Sequence, residues 1–209
     1  MLTVSFKKFF KWILISFITM LSMHISVALY YFNDLSITKK TFLINVFFFE
    51  HEKNIPAFYN AFLLLLAAYC LFYIAKQVPA VKGWKFLGGV FIFLACDEWF
   101  SIHDTPFILD FGVGPLSIPY WVYLYLSLTT LLGIYILPFL IKLPKRTLLL
   151  CIGSGMLYIG GAALFEIFNF ENSGFHSELY QINIFCEDAL EMLGVICFIY
   201  ALCDYMKIH

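Results

Sequence analysis

Long apolar runs alternate with short polar connections along the whole chain. Six such runs cover about residues 12–32, 56–75, 86–104, 118–141, 147–167 and 180–205. Each has roughly the 20 residues that an α-helix needs to cross a hydrocarbon layer about 30 Å thick. Because lipid offers no hydrogen bonds to an exposed backbone, runs of this length are helical. The pattern predicts an all-α fold, a polytopic membrane helical bundle of six transmembrane helices that forms a single domain, residues 1–209.

Proline and glycine positions refine the predicted helix boundaries. Pro56 suits the first turn of the second helix, because its missing N–H needs no partner there. Pro106 disfavours helical conformation at the residue before it, so the third helix is expected to end near Asp104. Residues 42–49 are too short to span and predict an interfacial or re-entrant segment. Glycines of the fifth helix are expected to let a neighbouring helix approach closely. They are Gly153, Gly155, Gly160 and Gly161.

Composition narrows the class of protein. Hydrophobic residues make up 62% of the chain, charged residues 13%, and the mean hydropathy is +0.87, which excludes an ordinary soluble domain. The net charge of -1 gives no basis for binding nucleic acid. The six cysteines lie within apolar runs without metal-ligand spacing, so they are predicted to be small buried hydrophobic residues.

The distribution of Lys and Arg predicts the orientation of the bundle. If the N-terminus is internal, ten of the 13 basic residues fall on the cytoplasmic side. They are Lys7, Lys8, Lys11, Lys76, Lys82, Lys85, Lys142, Lys145, Arg146 and Lys207. Both termini are therefore predicted to be cytoplasmic, in a bacterial inner membrane. Most acidic residues then lie towards the periplasmic, external side.

Several carboxylates lie within the predicted spans, where ionisable groups are energetically costly. They are Asp97, Glu98, Glu166, Glu187, Asp188 and Glu191. At about 100° per residue, the acids of the third helix, continued to Asp104, occupy an arc of about 120°. Those of the sixth helix occupy about 100°. Both arcs are expected to face the bundle interior, because a charge facing lipid at this depth is unfavourable. The two stretches are predicted to form one shared site in the outer half of the membrane.

No Lys or Arg lies within a predicted span to balance these acids. Protonated carboxylates, carboxylate pairs that share protons, and a bound metal ion are three ways to compensate the charge. The interpretation favoured here is a divalent metal ion: zinc, manganese or iron if histidine contributes, calcium or magnesium if only oxygen does. The predicted ligands are Asp97, Glu98, His103, Asp104, Glu166, Glu187, Asp188 and Glu191. Whether His51 and His176 join them is left open, and His24 is expected to be a hydrogen-bonded helix histidine.

Three functions are compatible with such a site. The first is a metal-dependent enzyme that acts on a lipid or another amphipathic substrate, with Glu98 or Glu191 as the catalytic base. The second is a cation or proton pathway, and the third is a non-catalytic accessory or sensor protein. The predicted surroundings are the lipid bilayer, with no nucleic acid, and the pattern does not predict an oligomeric state.

Three short patterns resemble a group of small bacterial multi-pass membrane proteins of unknown function. The first is Glu52-Lys53-Asn54-Ile55-Pro56, and the second is Asp97-Glu98 followed by His103-Asp104, an Asp-Glu-x4-His-Asp/Glu arrangement. The third runs from Glu187 to Gly194. The resemblance covers about residues 50–205 and implies the same topology and the importance of these acids. It implies no activity, cofactor or partner.

Overall fold

The computed structural model describes residues 2–33, 37–49, 51, 53–79, 81–102, 120–165 and 178–208. These residues form seven α-helices and one π-helical turn, and no strand occurs among them. The helices are α1 (Leu2–Asn33), α2 (Ile37–Phe47), α3 (Ile55–Gln77), α4 (Lys82–Phe100), α5 (Tyr120–Leu140), α6 (Lys145–Gly160) and α7 (Glu178–Ile208). The π-helical turn, Gly161–Phe165, continues α6.

Five helical segments within the described residues are long and apolar enough to cross a membrane. They are Lys8–Tyr30, Ile55–Gln77, Val122–Leu140, Lys145–Phe165 and Ile182–Lys207. The fourth helix is not among them, because it carries Lys82 and Lys85 near its start and Asp97 and Glu98 near its end. This architecture is compatible with the predicted helical membrane bundle. A sixth spanning helix and the location of the termini stay predictions.

Helices α3 and α7 form the centre of the bundle. Their facing leucines and isoleucines, such as Leu63, Leu71, Ile199 and Leu202, are fully buried. Helix α4 packs along α3, α6 packs along α7, and α1 contacts α7 from another side. Apolar residues on the outer faces of α1, α5 and α6 stay exposed, as expected for surfaces that contact lipid rather than protein.

A buried histidine joins three parts of the bundle at one end. The His24 side chain lies on α1, is 2% exposed, and accepts a hydrogen bond at Nδ1 from the Phe49 backbone N–H at 3.2 Å. Its ring also lies against Phe48, Phe49 and Phe185, with centroid distances of 4.9, 4.4 and 5.2 Å. These contacts hold the segment after α2 between α1 and α7. The segment predicted as interfacial or re-entrant falls largely within α2.

Helix α4 ends at Phe100, before the predicted end at Asp104. Ser101 has φ 51° and ψ 50°, the left-handed conformation that closes a helix, and its backbone N–H donates to the Asp97 carbonyl. The Ile102 N–H donates to the same carbonyl at 3.2 Å. The arc predicted for the acids of this helix therefore holds for Asp97 and Glu98, whereas His103 and Asp104 lie outside the described residues.

Helix α5 contacts α4 at a few points, and most of its side chains are exposed. Near one end the Tyr125 hydroxyl donates to Asp97 on α4 at 3.0 Å. Near the other end the Phe139 ring packs edge-on against Trp84, at a centroid distance of 4.9 Å. Between residues 122 and 140, Val122 is the one buried side chain. The second half of α5 leaves open space beside α4, α6 and α7.

Candidate carboxylate site

Four carboxylates from α4 and α7 line one cavity of about 140 Å³, named here the acidic cavity. They are Asp97, Glu98, Glu187 and Glu191. The other walls come from α5, α6 and the π-helical turn, and they include Tyr125, Thr129 and Tyr158. The structure thus brings together the described acids of the two predicted stretches, with the exception of Asp188, on the inside of the bundle.

Asp97 is the most enclosed of these acids. Its side chain is 7% exposed, and its Oδ1 accepts the Tyr125 hydroxyl hydrogen bond. Glu98, Glu187 and Glu191 are half-buried and so remain accessible to a molecule in the cavity. The different burial indicates different roles: Asp97 attaches α5 to α4, while the three glutamates present carboxylates to the open space.

A second cavity, of about 100 Å³, lies on the other side of the same glutamates and is named here the side cavity. Glu98, Glu187 and Glu191 line both cavities, and Asp188 and His51 line the side cavity. The remaining walls belong to the start of α3, the segment before it, and α7. His51, whose role the sequence left open, therefore lies at the carboxylate site, because the described part of the α2–α3 connection packs beside Phe185 and the glutamates of α7.

The π-helical turn positions the acids of α7. A Cβ placed on Gly161 would lie 2.9 Å from the Glu187 carbonyl oxygen and 3.2 Å from Cγ of Glu191. Only glycine leaves room for this approach, and π-helical turns within α-helices are frequent at functional sites. Close approach of a neighbouring helix was predicted at four glycines of this helix, and among the described residues Gly161 is the one that shows it. Cβ atoms on Gly153, Gly155 and Gly160 would meet nothing within 4 Å.

A third cavity, of about 210 Å³, adjoins the acidic cavity and is named here the apolar cavity. Leu94, Thr129, Tyr158 and Ile159 line both. It lies beside the second half of α5, from Thr129 to Leu140. Its walls are almost entirely aliphatic and aromatic side chains of α4, α5, α6 and α7, such as Leu87, Leu132, Ile136, Val195 and Phe198. Polar and apolar spaces therefore meet inside one bundle.

The described residues do not by themselves form a metal site. Within the described ranges, no three His, Cys, Asp or Glu side chains are grouped closely enough to hold a metal ion. Three of the predicted ligands, His103, Asp104 and Glu166, lie outside the described residues, as does His176. The metal ion therefore stays a prediction, and so do the ligand roles of the other predicted residues.

Besides its acids, the acidic cavity has three polar lining residues, Tyr125, Thr129 and Tyr158, and neither tyrosine was singled out from the sequence. Tyrosine and threonine are common in apolar helices, so nothing in the local pattern distinguishes a cavity-lining residue from one that contacts lipid. Only the rotation of α5 and α6 about their axes directs these three side chains towards the acids. The spacing of residues within either helix does not indicate which of its side chains face the acids.

Comparison with known proteins places the whole site within one family. A family model described as "Domain of unknown function (DUF8692)" matches residues 13–205. This range includes α3 to α6 and every residue that lines the three cavities described above. No curated protein and no solved structure matches the chain. The chain therefore belongs to the DUF8692 family.

Proposed function

We propose that this protein is a membrane-embedded enzyme that acts on the polar group of an amphipathic substrate at the carboxylate site. The observation that carries the proposal is the direct junction of an acid-lined cavity with an apolar cavity inside the bundle. An amphipathic molecule needs both environments, because its apolar part is stabilised by burial and its polar part by charged or hydrogen-bonding groups.

Glu98 and Glu191 are the proposed acid–base residues. Both are half-buried, and both line the acidic cavity and the side cavity. A general base must reach the proton that it removes, and each of these two carboxylates belongs to the walls of a cavity that the polar group of a substrate could occupy. Asp97 is less suited to proton transfer, because its Oδ1 already accepts from Tyr125.

A divalent metal ion is the proposed cofactor. Five carboxylates, Asp97, Glu98, Glu187, Asp188 and Glu191, line the acidic and side cavities, and none of the described Lys or Arg side chains lines either one. Carboxylate oxygens are the ligands that divalent ions such as calcium and magnesium prefer in proteins. Bound there, the ion would polarise a water molecule or a substrate oxygen. His103, Asp104 and Glu166, predicted on the adjoining segments, are the proposed additional ligands.

The proposed orientation places the carboxylate site towards the periplasm of a bacterial inner membrane. Its support is the concentration of Lys and Arg at the opposite end of the bundle. The cation or proton pathway is less well supported, because the space beyond the acidic cavity is lined almost entirely by apolar side chains. An ion would have to cross that space without compensating groups.

The enzyme proposal is tested by incubating purified protein with total bacterial lipid and a divalent metal mixture, followed by mass spectrometry of the lipids. We expect one lipid class to be consumed by the wild-type protein and left unchanged by Glu98→Gln and Glu191→Gln. Gly153→Ala, on the exposed face of α6, is the matched control and should retain the activity. Identical lipid profiles with and without wild-type protein would contradict the proposal.

The metal proposal has its own measurement. Elemental analysis of purified protein should find a divalent metal in about one-to-one stoichiometry, reduced at least about tenfold in Asp97→Asn and Glu187→Gln, because each lost ligand costs a metal site much of its affinity. If metal-free protein still consumes the lipid, the metal is not required for the reaction. The proposed roles of the acid–base residues would be unaffected by that result.

A further inference from the structure

Two of the six cysteines face each other across the central pair of helices. Cys70 lies on α3 and Cys203 on α7, and both belong to the buried core, with 6% and 7% of their surface exposed. The Cys70 thiol donates a hydrogen bond to the Cys203 sulfur, so the two sulfur atoms lie side by side. Neither cysteine is in a disulfide. The fold thus brings together two thiols that are far apart in the sequence.

The surroundings of the two sulfurs differ. Cys203 accepts the hydrogen bond, and Lys207, one helical turn further along α7, interacts with it electrostatically. A hydrogen-bond donor and a nearby cation are typical of reactive cysteines rather than of purely structural ones. Cys70 carries the proton of the hydrogen bond and has no such cation among its contacts. This difference makes Cys203 the attacking sulfur of the pair and Cys70 the sulfur that reacts second.

A cavity of about 310 Å³, named here the end cavity, leads small molecules towards the pair. Its walls are residues at the ends of α3 and α7, including Ile74 and Met206. Ile74 follows Cys70 by four residues and Met206 follows Cys203 by three, so each is about one helical turn, or about 5 Å, beyond its cysteine. A molecule as small as a hydroperoxide can therefore approach the buried thiols from this end of the bundle.

We propose that Cys70 and Cys203 are a redox site, at which a hydroperoxide converts the two thiols into a reversible disulfide that joins α3 to α7. The Cys203 sulfur attacks the terminal peroxide oxygen and the O–O bond breaks, which leaves a sulfenic acid on Cys203 and releases an alcohol, or water from hydrogen peroxide. The Cys70 sulfur then attacks the sulfenic sulfur, forms the S–S bond and releases water.

The two steps balance. The thiols lose two electrons, which reduce the peroxide, and their two protons end in the alcohol and the water. A dithiol reductant restores both thiols by disulfide exchange and is itself oxidised to a disulfide. The pair lies at the basic end of the bundle, which is the predicted cytoplasmic end. Disulfides in that compartment are typically transient and redox-sensing, because cytoplasmic thiols reduce them.

The disulfide would act on the two helices at the centre of the bundle. It closes a loop of the chain that contains α4, α5 and α6. Closing a long loop restricts the unfolded chain, so the oxidised protein should be more stable than the reduced one. At their other ends α3 and α7 form walls of the side cavity, through Ala57 and Met192. The inference does not depend on the proposed function, because the pair is separate from the carboxylate site.

The test treats the folded full chain in detergent with hydrogen peroxide, which arrives from water, or with cumene hydroperoxide, which arrives from the apolar phase. Digestion without reduction and mass spectrometry should find peptides joined through Cys70 and Cys203, at least about tenfold more abundant than any other cysteine pair. Dithiothreitol should remove the bond. Cys70→Ser should leave a sulfenic acid on Cys203 that dimedone labels, whereas Cys203→Ser should give little dimedone adduct on Cys70.

Thermal unfolding gives a second readout. The midpoint of the oxidised wild-type protein should lie about 5 °C or more above that of the reduced protein. Cys197→Ser is the matched control, because Cys197 is a half-buried cysteine on the same helix, and this variant should show the same increase. Cys70→Ser and Cys203→Ser should show none. Size-exclusion elution and circular dichroism of each variant establish that it is folded.

Two results would overturn the inference. If neither hydroperoxide yields the joined peptides from folded wild-type protein, or if they appear only after sodium dodecyl sulfate has unfolded it, the two thiols are a packing contact and not a redox site. Equal dimedone labelling of Cys70 in Cys203→Ser and of Cys203 in Cys70→Ser would overturn the assignment of Cys203 as the attacking sulfur. Neither result bears on lipid turnover at Glu98 and Glu191, so the proposed function is tested separately.

Discussion

Single side chains connect the helices of this bundle at its polar end. Tyr125 is an example, because its hydroxyl donates to the buried Asp97 carboxylate on a different helix, while the rest of α5 makes few buried contacts. A hydrogen bond in a poorly solvated environment is costly to lose when the acceptor remains. The hydrogen bond therefore stabilises the buried carboxylate of Asp97 and holds α5 beside α4.

Tyr125→Phe should lower the free energy of unfolding by about 1 to 2 kcal/mol, because it removes the donor to a buried carboxylate and keeps the ring. The measurement is thermal unfolding of the purified protein in detergent. Tyr135→Phe is the control, since Tyr135 lies on the same helix, is 69% exposed and contacts Phe86 through its ring. A loss of stability that is equal in the two variants would argue against a specific contribution from the Asp97 contact.

His24 is a second residue with a structural role that crosses helices. Its Nδ1 accepts from the Phe49 N–H, so this nitrogen carries no proton and the donor of the ring is Nε2. Its expected role as a hydrogen-bonded helix histidine is confirmed by this contact. The aromatic rings around it make the site closely packed as well as polar.

His24→Leu should lower the free energy of unfolding by about 1 to 3 kcal/mol, because a buried backbone N–H is left without an acceptor. His24→Asn supplies an amide oxygen near the position of Nδ1 and should recover part of the loss. Chemical denaturation of the two variants in the same detergent gives the comparison. Equal stability of Leu and Asn at this position would show that ring packing, rather than the hydrogen bond, is the main contribution.

Helices α6 and α7 pack closely where Gly194 of α7 faces the backbone of α6. A Cβ on Gly194 would lie 2.7 Å from the Tyr158 backbone nitrogen and 3.0 Å from the Ser154 carbonyl oxygen. Backbone atoms cannot rotate away as a flexible side chain does, so a larger residue must separate the helices. This contact positions Tyr158, which lines both the acidic and the apolar cavity.

Gly194→Ala should lower the free energy of unfolding by about 1 to 3 kcal/mol, in the range of overpacked cores, despite the better helix propensity of alanine. Gly153→Ala, where a Cβ meets nothing within 4 Å, should be neutral or stabilising by up to about 1 kcal/mol. Thermal unfolding of both variants tests the expectation. A neutral Gly194→Ala would mean that the two helices move apart at little cost.

The whole molecule has one basic end and one acidic end. Three contacts bring the ends of helices together at the basic end: Arg146 pairs with Asp204 at 2.9 Å, and Trp84 packs against Phe139 and Tyr205. Lys82, Lys85, Lys145 and Lys207 belong to the same helix ends. The carboxylate site lies at the opposite end. This polarity supports the proposed orientation, because basic loops are retained in the cytoplasm.

Reporter fusions test that orientation. Green fluorescent protein fused after residue 209 should fluoresce, because it folds in the cytoplasm, and alkaline phosphatase at the same point should be inactive. An epitope inserted near residue 173 should be accessible from the periplasm, and one inserted near residue 143 should be inaccessible until the membrane is permeabilised. Accessibility at residue 143 and not at residue 173 would reverse the orientation.

The pattern of apolar and polar residues was sufficient to predict the all-helical fold class and the approximate positions of most helix boundaries. Burial in lipid requires long apolar helices whatever their neighbours, so this information is local to each segment. The presence of acids such as Asp97 and Glu191 inside apolar runs likewise marked the carboxylate site. Both features depend on the free energy of placing a single segment in the membrane. That free energy is set by the residues of the segment itself, so it can be estimated from the sequence.

Which residues face one another was decided by tertiary structure alone. The left-handed Ser101 ends α4 before Asp104, and Gly194 rather than Gly153 or Gly155 makes the close helix contact. His51 reaches the glutamates through the fold of a connection whose sequence carries no such signal. The apolar cavity beside α5 lies where that helix comes together with α4, α6 and α7. Such features depend on the rotation and spacing of several helices together, and no single segment of the sequence determines them.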